Sequence, residues 1–221
     1  MIKFDQVSKR YPGSSQTLSN ISFAIDSGKL VFVTGISGAG KSTLLKLIAG
    51  LEKPSSGVVL INQQNVSHIN ASAVPYLRRK FGLVFQDHKL LYDRNCYENV
   101  ALPLYINDIP ADEVAGRIRA ALDKVGLLHK EKAMPITMSG GEQQRLAIAR
   151  AIVSRPECLI ADEPTGNLDE GYAQSIMNLF YDFQRVGVTV IIASHEVPQA
   201  IPEDVQAHVQ ILHLHDGELS A

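Results

Sequence analysis

A chain of 221 residues, 45% hydrophobic and 20% charged, has enough apolar material for one sizeable α/β domain, and this excludes a disordered chain. The formal net charge of −2 leaves no global basic field for nucleic acid, and the basic triplet Arg78, Arg79, Lys80 reads as a solvated helix end. No segment approaches the ~20 continuous apolar residues of a membrane span, and the N-terminal "MIKFDQVSKRY" lacks the apolar core of a secretory leader. Any membrane role is therefore expected to come through a partner. Cys96 and Cys158 are far apart with no paired spacing, which predicts reduced thiols and a cytoplasmic protein.

The chain opens with β-rich runs, "IKFDQVS" and "LSNISFAI", closed by the turn-forming "DSGK". "KLVFVTG" is a continuous apolar run ending in glycine, the pattern of a strand buried in a parallel sheet. A helix is expected from about Lys41 to Ala49. "GVVLINQQNV" and "FGLVFQD" each read as one further strand. From about Asp93 to Arg155 the pattern turns helical: Val114, Ile118, Ala121, Leu122 and Val125 recur at helical spacing. Buried strands resume at "CLIAD" and "VTVIIAS", separated by a helix over about Tyr172 to Arg185. "HVQILHLHDGEL" alternates around Asp216-Gly217 and predicts a terminal hairpin. The chain ends soon after it, so no appended regulatory domain is expected. One domain in two lobes follows: a core of about 1–87 and 156–221, and a helical lobe of about 88–155.

"GISGAGKST", from Gly35 to Thr43, fits G-x-x-x-x-G-K-[ST] and stands between an apolar strand and a helix, the setting that phosphate loops require. Glycines let backbone N–H groups turn inward around phosphate oxygens, and the helix N-terminus adds partial positive charge. Gly35, Ser37, Gly38, Ala39, Gly40 and Thr43 belong to this cradle. Lys41 would reach the β- and γ-phosphates and the Ser42 hydroxyl would coordinate Mg²⁺. "CLIADEP" places Asp162 and Glu163 at a strand end. Asp162 can hold the metal, and Glu163 can orient or deprotonate an attacking water. Adjacent acids there could instead cap the next helix; beside a phosphate loop the catalytic reading is favoured. Gln86 ends a strand, where its amide could touch both metal and water. His195 ends another, within reach of a γ-phosphate, and Tyr11 could stack on a nucleobase. Parallel sheets bind ligands at the carboxyl ends of their strands, so these residues gain weight jointly. "SGGEQ" from Ser139 brings a serine and two glycines to a helix N-terminus, a second anion-binding end.

Taken in order, Tyr11, Gly35–Thr43, Gln86, "SGGEQ", Asp162–Glu163, "GNLD" (166–169) and His195 resemble ABC-type ATPase domains across essentially the whole chain. The resemblance implies a P-loop NTPase core with an antiparallel β subdomain and an inserted helical subdomain. It implies ATP and Mg²⁺ as ligands, and a head-to-tail homodimer with ATP sandwiched between two copies. Ser139, Gly140, Gly141 and Glu142 of one copy would then cover the γ-phosphate held by the other, and Asp169 would carry a signal between the sites. Small departures accompany it: Glu142 stands where many members have glutamine, Met138 replaces a common leucine, and Glu196 follows His195 where aspartate is frequent. "LRRKFGLVFQDHKLLYDRNCYENVALPL", "ADEPTGNLDEG" and "RVGVTVIIASHE" look like the cell-division branch of the family. That likeness implies an integral membrane partner, a position at the inner face of the bacterial membrane, and mechanotransmission. Lipoprotein-release and macrolide-type exporter subunits share "DEPTGNLD" and are the alternative. The segment from His88 to Tyr105, with Leu90, Leu91, Tyr92, Tyr97 and Leu104, is expected to dock the membrane partner. His208, His213 and His215 invite a metal reading, against which an exposed edge strand is preferred.

Overall fold

The computed structural model describes residues 1–13, 16–166 and 168–220. In chain order its elements are β1 (Ile2–Arg10), β2 (Gln16–Ile25), β3 (Leu30–Thr34), α1 (Lys41–Ile48), β4 (Ser56–Ile61), β5 (Gln64–Asn65), α2 (Val74–Arg78), β6 (Phe81–Val84) and α3 (Cys96–Ile106). They continue with α4 (Ala111–Lys124), α5 (Gly140–Ile152), β7 (Cys158–Asp162), α6 (Glu170–Arg185), β8 (Thr189–Ala193), α7 (Glu203–Gln206), β9 (Val209–His215) and β10 (Glu218–Ser220). The chain divides into two compact units, Met1–Arg78 with Tyr181–Ala221, and Arg79–Phe180. Among the described residues no helix is long and apolar enough to cross a membrane.

In the first unit β2, β1, β4 and β5 form an antiparallel sheet. Ile2, Phe4 and Val7 of β1 are buried, and Phe4 stacks on Phe23 with ring centroids 4.5 Å apart. Every residue of β3 and β8 is buried, as the unbroken apolar runs predict for strands covered on both faces. β3 pairs in parallel with β8 on one side and β9 on the other. The register Val33↔Ala193 sends the segments after both strands out at the same end.

Two expectations need correction in this unit. "GVVLINQQNV" is a hairpin, not one strand: Asn62 and Gln63 both take left-handed φ, 49° and 66°, and turn the chain back so that Ile61 faces Gln64. β9 is not an edge strand, because β10 returns to cover its outer side and β3 flanks the other. His213 and His215 do share an exposed face there, alternating with buried Leu212 and Leu214. The His213 Nδ1 lies 2.8 Å from the Thr34 hydroxyl, and among the described residues no three His, Cys, Asp or Glu side chains are grouped to hold a metal.

In the second unit β6 and β7 run parallel, with Val84 opposite Ala161. α5 backs onto β6 so closely that a Cβ at Gly82 would lie 2.4 Å from the Ala151 carbonyl oxygen. α4 buries Val114, Ile118, Ala121 and Leu122, the stripe that the helical spacing predicts. α3 is set by a reciprocal cap: Asn95 accepts from the Glu98 N–H, and Glu98 accepts from the Asn95 N–H. Fully buried Asn99 then ties the incoming loop to the helix. Its Oδ1 accepts from the Leu91 N–H, and its Nδ2 donates to the carbonyls of Leu91, Arg94 and Asn95. Cys96 and Cys158 are free and buried, and burial pushes both thiols up.

Candidate nucleotide site

The phosphate loop leaves β3 at Gly35 and enters α1 at Lys41. Gly35, Gly38 and Gly40 all have positive φ, and a Cβ at Gly35 would sit 2.2 Å from the Leu214 carbonyl oxygen. At Gly40 it would meet Leu18 Cδ2 at 2.7 Å and Thr17 O at 2.9 Å, so only glycine gives this path. Gly40 is also the N-cap of α1 and supplies no side-chain acceptor to the first turn, which leaves that end suited to an external anion. Lys41 is buried, and its Nζ donates to the carbonyls of Gly35 at 2.7 Å and Ile36 at 3.1 Å. The loop therefore wraps around an ammonium group at its centre. Ser37 and Gly38 are exposed, Ala39 and Thr43 are buried, and Ser42 is half-buried. A glycine cradle, a central cation and a hydroxyl fit the phosphates of a nucleotide and its metal.

His195 lies just beyond β8, exposed, in a turn where the Ser194 hydroxyl accepts from the Glu196 N–H at 3.1 Å. The Ser194 N–H donates to the Val33 carbonyl, so this turn and the start of the phosphate loop leave neighbouring parallel strands. Tyr11 follows β1 half-buried, with the Lys9 ammonium 4.8 Å from its ring centroid. Lys9 is itself fixed by Glu52 at 2.8 Å and by the Lys53 carbonyl.

The acids belong to the second unit. Asp162 closes β7 half-buried and Glu163 follows it in the left-handed region, φ 48°. β6 ends at Val84, earlier than the sequence suggests, so Gln86 stands in the loop beyond the strand. Its Nε2 donates to Glu163 Oε2 at 3.1 Å. Gln86, Asp162 and Glu163 thus gather where two parallel strands end.

Ser139 is the N-cap of α5. Its hydroxyl accepts from the Glu142 N–H at 3.3 Å, and Glu142 Oε2 accepts from the Ser139 N–H at 3.1 Å. Ser139 and Gly140 are exposed. A Cβ on Gly141 would come within 3.3 Å of the Tyr172 ring, which leans over the start of the helix. Asp169 is exposed and its Oδ1 accepts from the Tyr172 N–H at 3.1 Å, capping α6. Asn167 of "GNLD" lies outside the described residues.

An ABC transporter family model matches residues 18–166. The chain belongs to the ABC transporter ATPase family. Cell division ATP-binding protein FtsE of Escherichia coli K12 is 52% identical over 197 residues, 89% of each chain. FtsE of Bacillus subtilis is 44% identical over 195 residues, 88% of this chain and 86% of that one. In three dimensions the chain is similar to the ATP-binding cassette MJ0796 in a dimeric post-hydrolysis state bound to ADP and Pi. The TM-score is 0.89 at 32% identity, covering 100% of this chain and 97% of that one. A second dimeric structure of MJ0796 gives TM-score 0.89 at 34% identity. The resemblance read from the sequence is borne out, as are its α/β fold and an ATP-hydrolysing activity.

Sequence reasoning missed several side chains that shape this ABC ATPase. Arg150, late in α5, donates to the carbonyls of His88 at 2.6 Å and Lys89 at 2.7 Å. Those two residues follow Gln86 closely and both take left-handed φ. Gln143 donates to the carbonyls of Pro135 and Met138 and accepts from the Tyr92 hydroxyl, bracing the approach to Ser139. Arg145 lies 5.2 Å from the Tyr172 ring centroid. The pairings of Arg150 with His88 and Lys89, of Gln143 with Tyr92 and of Arg145 with Tyr172 join residues far apart in sequence, so no local pattern announces them.

Proposed function

We propose that the chain is the ATP-hydrolysing subunit of an FtsE-like complex, working on an FtsX-like integral membrane protein to control cell-wall hydrolysis in bacterial division. The observation that carries this reading is the likeness to FtsE over 89% of the chain in Escherichia coli and 88% in Bacillus subtilis. The chain would sit at the cytoplasmic face of the membrane, held there by its partner.

In the proposed mechanism Lys41 neutralises the β- and γ-phosphates, and the loop from Gly35 to Thr43 holds them through backbone N–H groups. Tyr11 stacks on the base. Ser42, Gln86 and Asp162 are the residues that would hold Mg²⁺, which supplies charge neutralisation at the phosphates. Glu163 accepts a proton from the attacking water, Gln86 fixes that carboxylate, and His195 contacts the γ-phosphate. A second copy, arranged head to tail, covers the γ-phosphate with its Ser139, Gly140 and Gly141, on the helix start that Glu142 caps, while Asp169 couples the two sites. Glu163→Gln removes the base yet keeps Lys41 and Ser42. Hydrolysis should fall by about 10²–10⁴, the usual worth of a positioned acid–base group, while ATP-bound dimers accumulate. Turnover near the wild-type rate would reject the mechanism. Failure of the chain to co-purify with an FtsX-like protein would reject the division reading alone.

A further inference from the structure

We infer that Lys130 is a positioning residue for this reaction: by neutralising Glu142 it keeps the N-terminus of α5 able to receive the terminal phosphate of ATP held by a second copy. The inference rests on the trans reading of Ser139, Gly140 and Gly141 given above.

The geometry joins three residues. Glu142 occupies the third position of α5 and splits its carboxylate between two donors. Oε2 accepts from the Ser139 N–H at 3.1 Å, and Oε1 accepts from Lys130 Nζ at 2.5 Å. Lys130 comes from a separate stretch, the 3-10 turn Leu128–Lys130. There its N–H donates to the Leu127 carbonyl and its own carbonyl accepts from Ala133. Both side chains are partly sheltered, with 34% of the lysine and 24% of the glutamate exposed. Lys130 and the Ser139 N–H hold the Glu142 carboxyl below the usual carboxylate range.

A carboxylate in the first turn stabilises its own helix, because it faces the positive end of the macrodipole. The same charge opposes an incoming phosphate, which seeks those same N–H groups and that same potential. The two demands conflict unless the carboxylate's charge is cancelled from another direction. Lys130 does this. The capping bonds between Ser139 and Glu142 persist, the pair carries no net charge, and the exposed serine and Gly140 present a surface favourable to an anion. A glutamine at position 142 could make the same cap through its amide oxygen, with no charge to cancel.

Steady-state ATP hydrolysis by the full chain tests this with Lys130→Met and Lys130→Met/Glu142→Gln. The ATP concentration for half-maximal turnover should rise about tenfold in Lys130→Met, the scale of one uncompensated charge several ångströms away in a partly solvated site. The double variant should return to within about twofold of wild type. Binding of a fluorescent ATP analogue to the dilute monomer should stay unchanged in both, since Lys130 serves the partner's nucleotide. A Lys130→Met chain with unchanged turnover overturns the inference. So does a loss that Glu142→Gln does not repair, which would mark Lys130 as an ordinary packing residue. Ser139→Arg separates the underlying reading: if it leaves turnover intact, the trans role itself fails and this inference with it.

Discussion

Gln86 donates its side-chain amide to the Glu163 carboxylate, 3.1 Å from Nε2 to Oε2, across 77 residues of sequence. Glu163 pairs this with a left-handed backbone, φ 48°, a conformation that costs a non-glycine residue about 1–2 kcal/mol. The structure thus holds a strained acid just after β7 and orients it from the loop that follows β6. Residues held in this way cluster at active sites.

Replacing that residue separates strain from chemistry. Glu163→Gly relieves the left-handed penalty but adds freedom to the unfolded chain and loses the bond to Gln86, effects of about 1 kcal/mol each that oppose one another. The thermal midpoint should stay within about 4 °C of wild type for a chain of this size, although hydrolysis is lost. A fall of more than about 8 °C, measured by circular dichroism, would mean that Glu163 is kept for packing.

Arg150 makes a stability prediction of the opposite kind. Its guanidinium bridges the carbonyls of His88 and Lys89 at 2.6 and 2.7 Å. Arg150→Ala leaves both without that donor, at a cost of about 2–4 kcal/mol, or roughly 5–15 °C in thermal midpoint. Arg150→Lys should recover less than half of this, because one ammonium cannot reproduce the planar fork. Calorimetry on the three chains checks both statements, and full recovery by lysine would contradict the bridging role.

The segment expected to dock the membrane partner divides in the structure. Leu90 and Leu104 are buried and serve the core, while Leu91, Tyr92, Tyr105 and Ile106 are exposed. Leu102, also exposed, shares a helical face with Tyr105 and Ile106. Tyr97 is half-buried, with its N–H bonded to the Glu131 carbonyl. Tyr92→Ser with Tyr105→Ser should cut co-purification with the membrane partner at least about tenfold, the weight of aromatic anchors at an interface. ATP binding and thermal midpoint should hold. Parallel loss of folding would assign these tyrosines to the core instead.

The sequence displayed the parts whose chemistry is local. "GISGAGKST" carries its own geometry, since Gly35 and Gly40 are the only residue type that fits their crowded positions. The unbroken apolar runs gave β3, β7 and β8 almost residue for residue. Hidden were features that depend on pairing at a distance. The turn at Asn62-Gln63 splits a run whose polar residues read as one continuing strand. That β9 is no edge strand depends on its pairing with β3 from the far end of the chain, on the side opposite the predicted hairpin. Lys130, Gln143, Arg145 and Arg150 sit on helices or turns where a long polar side chain is unremarkable. Their roles emerge only when folding brings a carboxylate, a tyrosine ring or two loop carbonyls within reach.

In the proposed dimer "SGGEQ" covers a nucleotide bound by another copy of the chain. Crosslinking of Ser37→Cys with Ser139→Cys tests it most directly, since both positions are exposed while native Cys96 and Cys158 are buried. With the two substitutions on separate, differently tagged chains, the account predicts disulfide-linked heterodimers whose yield increases on adding ATP. With both on one chain, links found only within single chains, unchanged by ATP, would contradict it.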